Sequence, residues 1–242
     1  MSIKTNIAYI VLNLRFLKIT KVSNLFKSLF YHVFRKTKTI KFWPIRVSIE
    51  ATNLCNYCCP ECPTGNNTLN RTSGNIDLAL YKNIIHQIHK TCLQVQLHFQ
   101  GEPLLHSELP EMISYAHQYK LITALSTNGS LLSEEYCMKI IEAGLTKINI
   151  SLDGTSQKSY ELYRNGGQFS TVIQGIKNLT RLKIIHKKNF PLVNVQFLVF
   201  KHNENEIKDF ITLVKKTGAN SYTLKPAQLY DYQSKPEQIP EK

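Results

Sequence analysis

From about residue 46 the chain alternates between two kinds of pattern. Runs in which polar and apolar residues trade places one by one are separated by stretches whose apolar residues recur three and four positions apart. The first pattern predicts strands and the second helices. Strands are expected over residues 46–50, 93–100, 122–127, 147–153, 193–200 and 221–225. The first helix spans residues 77–90, with Tyr81, Ile84, Ile85 and Ile88 on one face. A second is carried by Leu109, Met112, Ile113 and Ala116. A third is capped by Ser133 and ended by Gly144. A fourth covers about residues 170–187. A fifth has Ile207, Phe210, Ile211 and Val214 on one side and Gly218 at its end. Strands with a helix in each gap argue for a parallel α/β sheet with right-handed crossovers.

Both an open doubly wound sheet and a barrel-like one satisfy that order, and the strands' second faces choose between them. Gln94, Gln96, His98 and Gln100 oppose Val95, Leu97 and Phe99. Asn149, Ser151 and Asp153 oppose Ile148, Ile150 and Leu152, while Ser221, Thr223 and Lys225 oppose Tyr222 and Leu224. Parallel strands buried on both faces read as continuous apolar runs, and these do not. A closed barrel filled with aliphatic side chains is therefore disfavoured. The expectation is a partial (β/α)6 TIM-like barrel, its concave face lining a wet, ligand-sized cavity.

Charge changes the picture at the amino end. The net charge of +13 is concentrated in residues 1–46, which hold ten Lys or Arg and no Asp or Glu. This divides the chain into a basic N-terminal helical arm (1–43), a core (44–225) and an irregular polar tail (226–242). In the arm Leu25, Phe26, Leu29, Phe30 and Val33 recur at helical spacing beside Lys27, Arg35 and Lys36. A helix docked on the core is the favoured reading, and a helix lying on an anionic membrane surface is the competing one. The pattern is not that of a targeting peptide, and no apolar run reaches the roughly 18 residues of a membrane span. With so little excess charge on the core, no specific nucleic-acid contact is expected.

Residues 50–65, EATNLCNYCCPECPTG, add the chemistry. Cys55, Cys58, Cys59 and Cys62 fall in one loop at the carboxyl end of the first strand, where α/β folds place their sites. Clustered thiols fit a reduced, cytoplasmic protein with a metal or iron–sulfur site better than a disulfide framework. Spacing alone leaves three sets open: Cys55, Cys59 and Cys62; Cys55, Cys58 and Cys62; or all four on zinc. FQGEPLLH (99–106) follows the second strand and STNGSLL (126–132) the third, so the three stretches converge on one rim.

In that order, with ISLDG (150–154) at the fourth strand, these motifs resemble the radical S-adenosylmethionine (radical SAM) superfamily over about residues 44–225. The resemblance implies an enzyme in which Cys55, Cys59 and Cys62 hold a [4Fe–4S] cluster. One iron stays open for the amino and carboxylate groups of S-adenosylmethionine. Gly101, Glu102 and Pro103 would border the methionyl amine, Ser126 and Asn128 the methionine and ribose region, and Ser151 and Asp153 the ribose. The implied chemistry is reductive cleavage to a 5′-deoxyadenosyl radical that takes hydrogen from a substrate. A reductant such as a flavodoxin or ferredoxin is the implied partner, and a peptide or protein side chain the favoured substrate. Cys58 is additional to the motif, and Glu61 stands where an aromatic residue is common. The branch resembled usually carries a C-terminal SPASM-type auxiliary-cluster domain, and no cysteine follows Cys137, so a minimal or truncated core is expected. The competing readings are a zinc-stabilised binding module whose basic arm meets nucleic acid or membrane, and a truncated radical SAM core that is inactive.

The remaining candidates receive plainer readings. His86 and His89 are expected to face solvent, and Cys92 and Cys137 to fill the core. His98, Gln196 and Lys225 lie on the polar phase of their strands, where they can face the cavity.

Overall fold

Six parallel strands lie side by side in the order in which the chain makes them: β1 Arg46–Ser48, β2 Gln94–Gln96, β3 Ile122–Thr127, β4 Lys147–Ser151, β5 Leu192–Val199 and β6 Ser221–Pro226. The structure is a computed structural model and describes residues 9, 11, 12, 14–34, 40 and 42–227. β1 and β6 are the two edges and do not pair with each other, so the barrel is partial, as expected. The helices are α1 Ile19–Phe34, α2 Leu78–Ile88, α3 Leu109–Gln118, α4 Glu134–Glu142, α5 Gln157–Glu161, α6 Phe169–Ile185 and α7 Ile207–Lys216. The tail expected at 226–242 lies almost wholly outside the described residues, as does the basic stretch 35–39 of the arm.

The local signals worked where they were chemical. Asp77 caps α2 by accepting from the Leu80 amide, and Ser133 caps α4 through the Tyr136 amide. Gly144 and Gly218 follow α4 and α7 with positive φ. α5 was not expected. It is too short for periodicity to show, and a capping box of Ser156 and Ser159 starts it. β1 and β2 end earlier than their alternation does, because the chain bends away from the sheet to build the rim.

The two faces of the sheet separate as predicted. Val95, Leu97, Ile148, Ile150, Leu152, Val195 and Phe197 are buried against the helices. On the concave face Asn149 and Asn194 sit in register and share a 3.2 Å hydrogen bond. The hydroxyls of Ser221 and Thr223 donate to Asn194 Oδ1. Three residues depart from their apolar phase, Tyr222 on the edge strand among them (41% exposed). Phe99 lies beyond the end of β2 and is 73% exposed, and Leu224 on the edge strand is 37% exposed. Cys92 and Cys137 are buried in the core.

The arm helix docks, but with the opposite face to the one its pattern suggested. Lys21 and Asn24 are its buried residues, whereas Phe26, Leu29, Phe30 and Val33 are exposed. Lys21 Nζ donates to the Lys120 carbonyl (2.7 Å), Asn24 donates to the Trp43 carbonyl, and the Thr20 hydroxyl donates to the Lys90 carbonyl. All three carbonyls precede strands, so α1 crosses the amino end of the sheet. There the unpaired carbonyls of helix–strand connections offer acceptors that an apolar side chain could not use.

Burial lowers the Lys21 ammonium to about 8. An unfolded lysine titrates near 10.4, so between those values the unfolded chain binds more protons and stability rises with pH. Replacing Lys21 by Met should flatten that rise by about 1–3 kcal/mol. Urea unfolding at several pH values between 7 and about 10.4 checks it.

Candidate active site

The cysteine loop is held against the rim by backbone approach and side-chain struts. Gly101 has φ +72°, and a Cβ there would lie 2.5 Å from the Thr52 carbonyl oxygen and 2.7 Å from that of Leu54. The glycine lets the loop after β2 pass flush against the cysteine loop, and the Glu102 amide then donates to Leu54 O at 2.7 Å. Asn53 ties the loop to residues 72–74 through its side chain. Glu50 accepts from both Arg71 and the Gln100 amide.

These struts bring Cys55, Cys59 and Cys62 onto one cavity of about 180 Å³, together with His98, Gly101, Glu102, Ser126, Asn128, Ser151, and Arg164. Cys58 is exposed and does not line it. A four-thiolate zinc site is therefore not formed, and among the described residues no three His, Cys, Asp or Glu converge on a single ion. His86 and His89 are no exception: His89 Nδ1 bonds the His86 carbonyl of their own helix. A second cavity of about 420 Å³ shares Cys62 and Tyr163 with the first and is lined by Glu61, Gln100, Gln196 and Lys225.

Glu102 is the most constrained group of the site. It is 2% exposed. One carboxylate oxygen accepts from the Leu104 amide (3.0 Å) and the Thr127 hydroxyl (2.6 Å), the other from the Asn128 amide (2.7 Å). Burial raises its pKa, opposed by those three donors and by the charge of Arg164. A carboxylate has about four acceptor positions, so three bonds leave one for a ligand. Asn128 spends its side chain locally, donating to Asn56 and accepting from Ser130.

Pro103 and Asp153 are not on the cavity wall. Pro103 is buried in the first turn of a 3-10 helix, Pro103–Leu105. Asp153 is fully buried behind the wall, where its oxygens accept from the Leu198 amide and from Arg164 Nε. It thereby aims a residue the motifs did not single out. Arg164 Nη1 lies 3.8 Å from Cys59 Sγ. Burial works against the guanidinium charge, but Asp153 and the Cys59 thiol hold its pKa above the ordinary arginine value. The ELYRNGG stretch (161–167) carries no spacing signal, so only its pairing with Asp153 reveals it.

The donor set fits a metal cluster. Burial pushes the Cys55 thiol up to about 11 and raises that of Cys59. Burial thus favours the neutral thiol at Cys55 and Cys59, and a bound cation would favour the thiolate form that metals take. His98 lines the same cavity, and its Nδ1 is buried without a hydrogen-bond partner. Burial lowers its pKa, keeping it a neutral imidazole.

Removing one member of the Asp153–Arg164 pair strands a buried charge. Asp153→Ala should cost about 3–5 kcal/mol in urea unfolding, and the Asp153→Leu/Arg164→Met double variant markedly less than the sum of its singles. Glu102→Gln keeps the shape but turns a donor toward an amide donor, and should cost about 1–3 kcal/mol.

Comparison with known proteins agrees with this geometry. The Radical SAM superfamily model matches residues 49–214. An AdoMet-dependent heme synthase of Methanosarcina barkeri is 28% identical over 180 residues, which cover 74% of this chain and 49% of that one. A PqqA peptide cyclase of Gluconobacter oxydans is 26% identical over 192 residues (78% and 51%), and the mycofactocin maturase MftC of Mycobacterium ulcerans 24% over 176 (73% and 46%). The chain spans about half the length of these relatives. In fold it resembles Streptococcus suis SuiB bound to S-adenosylmethionine, with TM-score 0.66 at 16% identity over 83% of this chain and 44% of that one. The three thiols on one wall and the matched family model together place the chain in the radical SAM superfamily, whose members use a [4Fe–4S] cluster and S-adenosylmethionine.

Proposed function

We propose that this chain is the catalytic core of a radical SAM enzyme in which Cys55, Cys59 and Cys62 hold the cluster. The observation that carries the assignment is that these three thiols, and not Cys58, share one cavity wall with Glu102, Ser126, Asn128 and Ser151. With cofactor bound, the cluster and S-adenosylmethionine supply one-electron chemistry that yields methionine and a 5′-deoxyadenosyl radical, which takes a hydrogen atom from substrate.

The chain's own residues orient and exclude. Glu102 offers its remaining acceptor position to an ammonium group, next to the point where Gly101 lets its loop lie flush against the cysteine loop. Ser126, Asn128 and Ser151 offer short polar groups along the same wall. Asp153 acts one step back, holding Arg164 so that a fixed positive charge faces the thiols and any carboxylate bound beside them. Pro103 sets the turn that presents Glu102. The neutral His98 ring is free to hydrogen-bond a ligand. The two cavities together fall in the range of about 300–1,000 Å³ that suits a cofactor with substrate.

The favoured substrate is a peptide or protein side chain. Two observations support it: relatives named as a peptide cyclase and a maturase, and the position of the polar second cavity beside β6. Among the described residues β6 pairs only with β5, so its free edge offers main-chain donors and acceptors to an extended peptide. A flavodoxin or ferredoxin is the fitting reductant.

Anaerobic reconstitution tests the assignment. It should give a brown protein with about four irons per chain and dithionite-dependent release of 5′-deoxyadenosine. Cys59→Ala should lose both iron and product, and Cys58→Ala should keep both. A colourless zinc protein, or equal iron in the two variants, would refute it.

A further inference from the structure

α1 is built inside out. Its polar Lys21 and Asn24 are buried against the sheet, while Phe26 (67% exposed), Leu29, Phe30 (66%) and Val33 (71%) lie at i, i+3, i+4 and i+7 on the outer face. Trp43 is 65% exposed, and its backbone is tied to Asn24 on the same helix. Docking α1 on the core therefore does not bury its apolar stripe but displays it. Leu14 and Ile19 are exposed in the same arm.

The arm that carries the stripe is strongly cationic in sequence. Residues 1–46 contain ten Lys or Arg and no carboxylate. α1 crosses the amino end of the sheet, where α2, α3, α4, α6 and α7 deliver their C-termini. Those helix ends and connections carry exposed Lys90, Lys120, Lys187, Lys188, Lys215 and Lys216, against one carboxylate, Glu142, among the described residues. Ile184 and Ile185 at the end of α6 are also exposed, beside Lys187 and Lys188. Lysine at a helix C-terminus is favoured by the helix dipole. That accounts for the lysines but not for the large apolar side chains among them.

We infer that α1 seats this protein on an anionic lipid surface, with the amino end of the sheet toward the headgroups and the cysteine rim facing away. Apolar rings in a basic frame match the acyl–headgroup boundary of an anionic leaflet. An exposed tryptophan suits the same depth. A second copy of the chain would fit worse, since it would bring two strongly lysine-rich sets face to face. No described helix is long and apolar enough to cross a membrane, so the contact is peripheral. It leaves the site open, because the cysteine loop follows the carboxyl end of β1. The inference does not depend on the cofactor reading.

Co-sedimentation of the full chain with phosphatidylcholine vesicles containing about a quarter phosphatidylglycerol tests it. Binding should be strong at low salt, weaken as salt rises, and nearly vanish on phosphatidylcholine alone. Trp43 is the only tryptophan, so its emission should shift to the blue on binding. Phe26→Ser with Phe30→Ser should weaken binding about ten-fold or more while thermal unfolding stays near that of the parent. Should that pair disturb folding, Val33→Ser alone should give a smaller loss in the same direction. Equal binding by parent and variants would overturn the inference. So would an absence of vesicle binding, including the case of a reversible dimer that Phe26→Ser/Phe30→Ser dissolves.

Discussion

The site depends on one buried carboxyl group. Glu102 sits where the ends of β2 and β3 meet the cysteine loop, and its carboxylate gathers donors from Leu104, Thr127 and Asn128. Its own amide reaches across to Leu54 in the cysteine loop. Three loops that leave different strands are thus fixed to one another through a single residue. A buried carboxylate is costly without partners, so while the site stays shielded from water the loops that supply those donors are held together. The cavity is pre-shaped by this requirement, and the Cys-rich loop is fixed against it through the Glu102 amide and Leu54.

A second buried charge pair repeats the device on the opposite wall. Asp153 joins the end of β4 to β5 through the Leu198 amide, and spends its other oxygen on Arg164. The pair shapes the wall and also sets its sign. A guanidinium beside Cys59 favours thiolate over thiol, against the burial that favours the neutral form. The polar row of Asn149, Asn194 and Ser221 continues below, so the concave side is hydrogen-bonded rather than filled with aliphatic side chains.

Much of this was legible in the chain. Alternation located all six strands, and the polar phase of β2, β4 and β6 foretold a wet interior. The rim motifs named Cys55, Cys59, Cys62, Gly101, Glu102, Ser126, Asn128 and Ser151, all of which lie on the cavity wall or beside it. What escaped was relational. Arg164 has no pattern of its own and becomes visible only through Asp153. Periodicity grouped Phe26, Leu29, Phe30 and Val33 on one face of α1 but could not say which way that face turns, because the answer lies in carbonyls contributed by Trp43, Lys90 and Lys120. Phe99 kept its phase in the sequence and lost it in space, since β2 stops at Gln96.

Strand order equal to sequence order has a consequence for biogenesis. Each new strand needs only its predecessor as a template, so the sheet can grow during synthesis from the amino end without waiting for distant chain. The cysteine loop emerges early, but Tyr163 and Arg164, which wall it in, follow β4. Through that interval Cys55, Cys59 and Cys62 lack the part of the wall that Tyr163 and Arg164 supply in the finished fold.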